Sequence, residues 1–346
     1  MPPEPQTAQT MFEIVMLCFK LDEHAHKAYR ELARGAADPE LSRFWQGMAA
    51  EEFEHLQFWS QILEQPAQLE TLPQVFSQPA EILRELRESL EKVQALMQPG
   101  CDNLTVEESF TLAYRLEFYM LHPAFPVLFS LLCFLVETSC PDKAYEQHIQ
   151  SFVAALSRYG RVSPPLELLG ETLERLWKEN RRLALQATRD ALTGCLNRQA
   201  FMEIAQHLSL LARRKGEKVG ILMIDLDHFK KVNDTWGHQV GDQVLRASGR
   251  VIRSGLRASD VVARYGGEEF IVLMPDAHQQ VAVQVANRIR EAFAAQHFEN
   301  VHPTLSVGVA LGLMEENVED CLFELIRQAD MKLYQAKQAG RNRVVC

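Results

Sequence analysis

The stretch Ala263-Arg264-Tyr265-Gly266-Gly267-Glu268-Glu269-Phe270, which runs straight into the apolar Ile271-Val272-Leu273-Met274, restricts this chain more than any other. Two adjacent glycines between β-forming residues specify a tight hairpin, and two carboxylates sit at its tip. A turn of this composition suits a polyanion. Glycine lets the backbone approach a phosphate closely, and a carboxylate beside it can hold the divalent cation that a nucleotide brings. A Gly-Gly turn taken alone usually only joins two strands, so its meaning depends on its surroundings.

Upstream stands Gly220-Ile221-Leu222-Met223-Ile224-Asp225-Leu226-Asp227-His228-Phe229-Lys230-Lys231-Val232-Asn233-Asp234, followed by Gly237-His238-Gln239-Val240-Gly241-Asp242. A buried strand ending in acidic residues is a common way for a nucleotide-handling sheet to present a metal ligand at its edge. Further pieces flank these: Asp190-Ala191-Leu192-Thr193-Gly194-Cys195-Leu196-Asn197-Arg198 ahead, and Ala329-Asp330, Tyr334, Ala336-Lys337 and Gly340-Arg341-Asn342-Arg343 behind. In this order the stretches resemble the GGDEF family of diguanylate cyclases, in its GGEEF spelling, over residues 188–346.

The resemblance implies a palm-like α/β domain over residues 190–346 and a defined reaction. The 3′-hydroxyl of one GTP attacks the α-phosphate of another, twice, giving cyclic di-GMP and two pyrophosphates. It also implies that Asp225 and Glu268, helped by the Leu226 carbonyl, hold Mg²⁺ or Mn²⁺. Glu269 either ligates metal or assists deprotonation of the hydroxyl. Asn233 and Asp242 match the family's guanine-reading pair; a carboxylate can accept from guanine's N1–H and exocyclic amine together, which adenine cannot supply. Lys337 and Arg341 match its triphosphate-binding residues, assisted by backbone N–H groups around His228, Phe229 and Lys230. Asp227 is expected to cap or orient the following turn. Arg257-Ala258-Ser259-Asp260 has the R-x-x-D form of the family's inhibitory product site, to which Arg288 matches a further contributor. GTP is then the substrate, and cyclic di-GMP both product and feedback inhibitor.

At 346 residues the chain exceeds one ordinary domain. Its net charge of −10 argues against general nucleic-acid binding, which needs a basic surface. No run reaches membrane-span length, the most apolar being residues 125–136, and the N-terminal Met1-Pro2-Pro3-Glu4-Pro5 lacks signal-peptide character. Seven scattered cysteines with no C-x-x-C pair read as reduced thiols of a cytoplasmic protein.

Residues 1–163 read as a helical domain. Apolar residues recur at helical spacing over 10–36, 40–64 and 79–97; Thr105-x-x-Glu108 has the form of a capping box opening a fourth helix, and a fifth is expected over 142–158. Glu23 lies on the first helix and Glu52 and His55, one turn apart, on the second; Glu117 and His148 on the fourth and fifth repeat nearly the same separation as Glu23 and His55. A Glu from one helix with Glu-x-x-His from the next is the half-site of di-iron carboxylate bundles. The domain therefore resembles the ferritin-like, rubrerythrin-type superfamily, a four-helix bundle with residues 79–97 as crossover helix. The resemblance implies non-haem iron on Glu23, Glu52, His55, Glu117 and His148. It departs from the pattern at Tyr145, where a ligand Glu belongs and Glu146 is displaced by one position. Zinc, manganese, a single ion or an empty bundle serving as a dimerisation or docking element remain open at this point. Between the domains, residues 164–189 carry Leu166, Leu169, Leu173, Leu176, Asn180, Leu183 and Ala187 at alternating spacings of three and four, the seam of a parallel dimeric coiled coil with Asn180 at an a position. The whole reads as a homodimeric cyclase regulated by an oxygen-, redox- or iron-sensing bundle. The alternative is an inactive module that binds GTP or cyclic di-GMP.

Overall fold

The structure, a computed structural model, describes residues 5–64, 76, 78–101, 104–133, 142–159, 164–296, 298 and 301–346, the side chains of 5–9, 130, 142–146 and 164–167 excepted. The chain forms two compact units, Met1–Leu185 and Gln186–Cys346. The first is helical, with α1 (Pro5–Gly35), α2 (Pro39–Leu63), α3 (Pro79–Met97), α4 (Val106–Met120), α5 (Ala124–Leu132), α6 (Asp142–Tyr159) and α7 (Pro164–Thr188). Local chemistry sets several of these ends. Asp38 accepts from the Glu40 N–H with Pro39 at the first helical position, which starts α2. The Thr105 and Glu108 side chains satisfy each other's backbone N–H groups, forming the capping box expected for α4.

Helix α5 is absent from the sequence expectation. Its segment AFPVLFSLL has no polar face, so no 3.6-residue period marks it, and Phe125, Leu128, Phe129 and Leu132 are completely buried. Helix α7 also departs from it. The coiled-coil seam is split: Leu173 is buried within the unit, Leu176 and Leu183 are exposed, and Asn180 donates its side-chain N–H to the Leu121 carbonyl at 2.6 Å. The amide expected to face its twin across a dimer is satisfied inside its own chain. Cys133 is disulfide-bonded, against the expectation of reduced thiols throughout, while Cys18, Cys195, Cys321 and Cys346 are free thiols. Among the described residues no helix is long and apolar enough to cross a membrane.

The second unit is α/β, with α8 (Arg198–Lys215), β1 (Lys218–Leu226), α9 (Phe229–Trp236), α10 (His238–Ser254), β2 (Val261–Arg264), β3 (Glu269–Met274), α11 (Gln279–Ala294), β4 (Leu305–Leu313), α12 (Val318–Gln338) and β5 (Val344–Val345). The five strands order as β2-β3-β1-β4-β5. β1 is central, buried on both faces except at Lys218, and antiparallel to both β3 and β4. Leu222, Ile224 and Leu226 of β1 share a core with α10 and α11, while α8 and α12 pack against each other and against β1. The short helix α9 follows directly on the acidic end of β1.

β4 lies so close to α12 that a Cβ on Gly308 would stand 2.0 Å from the Ala329 carbonyl oxygen and 2.2 Å from the Leu333 nitrogen, both backbone atoms that cannot turn aside. Gly312 has only an ordinary contact, 3.4 Å to Leu325 Cδ1. Gly308→Ala is therefore expected to cost about 3 kcal/mol or more and to unfold the second unit, whereas Gly312→Ala should stay within about 1 kcal/mol. Thermal unfolding followed by hydrogen exchange in β4 and α12 checks both.

Candidate functional site

Because β1 runs antiparallel to both neighbours, its C-terminal end lies beside the N-terminal ends of β3 and β4. Asp225 is opposite Glu269 on one side and Ser306 on the other, and the Leu226 N–H donates to the Glu268 carbonyl at 3.3 Å. Asp225 is nearly buried and pairs with Lys337 Nζ at 2.8 Å. Burial pushes the Asp225 carboxyl up; Lys337 opposes this, and the charges of Glu269 and Asp227 add to it. Glu268 is pushed up by burial, then by the charge of Asp225. Two partly desolvated carboxylates that repel each other, with a lysine as counterion, form a hard oxygen pair fitted to a small divalent cation such as Mg²⁺ or Mn²⁺.

The hairpin tip is closed by the N–H groups of Tyr265 and Gly266, which both donate to the Glu269 carbonyl at 2.8 and 3.3 Å. Neither Gly266 nor Gly267 takes a left-handed φ, so space is what glycine provides here. A Cβ on Gly266 would stand 2.5 Å from Glu269 Oε2, whereas above Gly267 nothing lies within 4 Å. Arg264 fixes the tip from below: Nε and Nη2 donate to the Gly267 carbonyl at 3.1 and 2.5 Å, and Nη1 donates to Asp190 Oδ2 at 3.0 Å. Asp190 in turn accepts from the N–H and hydroxyl of Thr193 at 2.8 and 2.7 Å. The Asp190–Thr193 turn and the hairpin tip are thus one hydrogen-bonded unit, a role the sequence reading gave to neither Asp190 nor Arg264.

Asp227 departs from its expected part as a cap for the next turn. Its carboxylate accepts from the hydroxyls of Thr304 and Ser306, both at 2.7 Å, and from the Asn342 N–H at 3.0 Å. It ties the segment carrying Arg341, which has φ 62°, to the end of the sheet. His228, with φ 56°, leads into α9; Phe229 is buried, so only its backbone is available to a ligand, and Lys230 is exposed. Asn233 lies against Gly241, the residue that precedes Asp242. A Cβ on Gly241 would stand 1.9 Å from Asn233 Oδ1, so the Gly preceding Asp242 is what lets Asn233 close on it. Arg257, Asp260 and Arg288 gather at the C-terminal end of α10. Asp260 Oδ2 accepts from the Arg257 N–H at 2.9 Å, Arg288 Nη2 donates to the Gly255 carbonyl at 2.5 Å, and both arginine charges oppose the upward push of burial on Asp260.

In the helical unit, α1, α2, α4 and α6 bring together Asp22, Glu52, His55, Glu117 and His148, all fully buried. Glu23 is corrected: it is exposed, and the neighbouring Asp22 occupies the interior. The signal was present in the helical period, since Val15, Cys18, Leu21, Ala25 and Tyr29 mark a buried stripe on which Asp22 falls and from which Glu23 is rotated by about 100°. Burial and the charge of Glu117 push the Glu52 carboxyl up to about 8, against the opposing charge of His148. Asp22 rises well above the carboxylate range through burial and the charge of Glu52. Burial lowers His55; at His148 burial also acts downward, but Glu117, Glu51 and Glu52 together outweigh it and raise the imidazole. His24, His26 and His122 are engaged elsewhere, with the Lys20 carbonyl, the Ala49 carbonyl and Glu85. The side chains of Tyr145 and Glu146 lie outside the described residues.

Residues 187–343 match the family described as "Diguanylate cyclase, GGDEF domain", so the second unit is a GGDEF domain. A probable diguanylate cyclase, DgcC, of Escherichia coli K12 is 36% identical over 174 residues, 50% of this chain and 47% of that protein. The response regulator PleD of Caulobacter vibrioides is 41% identical over 165 residues, 46% of this chain and 36% of that protein. The chain spans less than half the length of either relative. The solved GGDEF domain of DgcB from Caulobacter crescentus, in complex with c-di-GMP, is 34% identical with a TM-score of 0.43, covering 46% of this chain and 95% of that one.

Arg264→Ala removes the bonds to the Gly267 carbonyl and the ion pair with Asp190. Amide exchange over residues 265–269 is expected to speed up roughly tenfold, the factor that about 1.4 kcal/mol represents, with amides of the helical unit unchanged. Mass-spectrometric hydrogen exchange reads both regions in one experiment.

Proposed function

We propose that this protein is a diguanylate cyclase that joins two GTP molecules into cyclic di-GMP with release of two pyrophosphates. The observation that carries the reading is the convergence of Asp225, Glu268 and Lys337 at one end of the sheet in a GGDEF domain. Asp225, Glu268 and the Leu226 carbonyl are the groups suited to hold Mg²⁺ or Mn²⁺, which when bound neutralises phosphate charge and aids both nucleophile and leaving group. Lys337 then exchanges its pairing with Asp225 for the triphosphate, with Arg341 and the first N–H groups of α9 as its companions. Asn233 and Asp242 read the guanine edge. Glu269, folded over Gly266, is the carboxylate available to the 3′-hydroxyl proton. In each of the two transfers an O3′–P bond forms at the α-phosphate as the bond to pyrophosphate breaks, and the hydroxyl proton leaves to a base or solvent.

One domain holds one GTP, so turnover needs a second copy facing the first. The exposed Leu176 and Leu183 of α7 are the surface we assign to that homodimer. Arg257, Asp260 and Arg288 form the product-inhibition site. The helical unit is the regulatory input, acting through a bound metal, most naturally non-haem iron, that responds to oxygen, redox state or iron supply.

Glu268→Gln is expected to lower turnover of GTP to cyclic di-GMP by about a hundredfold or more while GTP still binds; nucleotide chromatography and a binding titration separate the two effects. Retained GTP binding together with undiminished turnover would overturn the catalytic assignment. For the regulatory reading, one iron-loaded preparation is assayed with Mg²⁺ under anaerobic reducing conditions and again after exposure to air. Turnover should differ between the two, and equal turnover would reduce the bundle to a scaffold.

A further inference from the structure

We propose that Asp22, Glu52, His55, Glu117 and His148 are the protein ligands of a two-metal centre in which Glu52 is shared between the ions, Asp22 and His55 completing one end and Glu117 and His148 the other. This deepens the reading of the helical unit as a metal-dependent input and is independent of the cyclase reading.

The five side chains form two trios, Asp22-Glu52-His55 and Glu52-Glu117-His148, in each of which the ligand atoms lie within 4.8 Å of one another. The two oxygens of Glu52 face different histidines, Oε2 at 3.1 Å from His55 Nδ1 and Oε1 at 3.3 Å from His148 Nε2. A carboxylate held in this way spans two positions. The end carboxylates are oriented alike. Trp59 Nε1 donates to Asp22 Oδ2 at 2.7 Å, and the Tyr29 hydroxyl donates to Glu117 Oε1. In both cases the other oxygen, Asp22 Oδ1 or Glu117 Oε2, is buried with no hydrogen-bond partner among the described residues. His148 is fixed from behind by Glu51 Oε2, 2.8 Å from Nδ1, which turns Nε2 inward. At Asp22, Glu117 and His148 one atom is held by an outer hydrogen bond while the other faces the cluster, which is how proteins aim metal ligands.

Orphaned carboxylate oxygens among Trp45, Trp59 and Phe129 are costly unless a cation meets them. Oxygen and imidazole donors with no thiolate select iron(II), manganese(II) or zinc(II). Three side chains per ion fall short of the about four to six donors such ions take, so each end keeps room for solvent or a small exogenous ligand.

The test counts metal in the full-length chain carrying Asp225→Asn, which disables the nucleotide site as a competing ligand. Chelator-stripped protein is loaded anaerobically with Fe²⁺, desalted, and analysed by elemental mass spectrometry, with far-UV circular dichroism to verify the helices. Two ions per chain are expected, unchanged in Glu23→Ala and falling to one or fewer in Asp22→Ala. His148→Gln provides the same loss from the other end should Asp22→Ala misfold. One ion in the parent chain, or two retained in both the Asp22 and His148 variants, overturns the shared centre. No ion at all also removes the metal-input reading, while GTP turnover of the unsubstituted chain with Mg²⁺ reports on the cyclase separately.

Discussion

Pairing of β1 antiparallel to both β3 and β4 is the constraint from which the carboxylate-bearing end of the sheet follows. It brings three chain segments that are far apart in sequence to one edge, each contributing polar groups there. Asp225 and Asp227 end β1, Glu268 and Glu269 open β3, and Thr304 and Ser306 open β4. With Asp227 bonded to Thr304, Ser306 and the Asn342 N–H, the loop after α12 is pinned to the same edge. Lys337, from the far end of the chain, therefore reaches the Asp225 carboxylate, and Arg341 lies in the segment that is pinned beside it.

The second unit was largely legible in the sequence because its motifs coincide with local structure. Two glycines and alternating β-formers specify the hairpin, an apolar run ending in Asp specifies β1, and Asn197 specifies the start of α8. What was not legible depends on partners distant in sequence. Asp227 reads locally as a turn residue; only the register of β1 with β4 shows what its carboxylate meets. Arg264 and Asp190 likewise look like two separate motif letters until the Gly267 carbonyl and the Asp190 carboxylate are found on one guanidinium.

The helical unit was legible as helices and misread at the level of single faces. Of the adjacent acidic residues at 22 and 23, the shape of a known half-site led the sequence reading to Glu23 alone. The buried stripe of α1 decides otherwise, because a position on that stripe is interior whatever its side-chain length. The heptads of α7 carried a similar ambiguity. A three-four apolar spacing fits any helical neighbour, the chain's own bundle included. Leu173 and Asn180 turn to that bundle while Leu176 and Leu183, less than half a turn away, remain on the surface.

The two units manage buried carboxylate charge by different means, and the difference bears on what each binds. At the sheet edge the chain supplies its own counterion, since Lys337 pairs with Asp225. A cation that arrives with a nucleotide can take over that role, because lysine's flexible stem lets its charge follow the phosphate instead. Around Asp22, Glu52 and Glu117 the ion pairs among the described residues are with His55 and His148 alone, and those histidines are interior on every side. Among the described residues no lysine or arginine pairs with these carboxylates. Under the two-metal proposal such a cluster favours a resident ion over a transient one, because Asp22, Glu117 and His148 are already held by Trp59, Tyr29 and Glu51. A site of that kind is poorly suited to turnover and well suited to holding a state, which is the property a regulatory input needs.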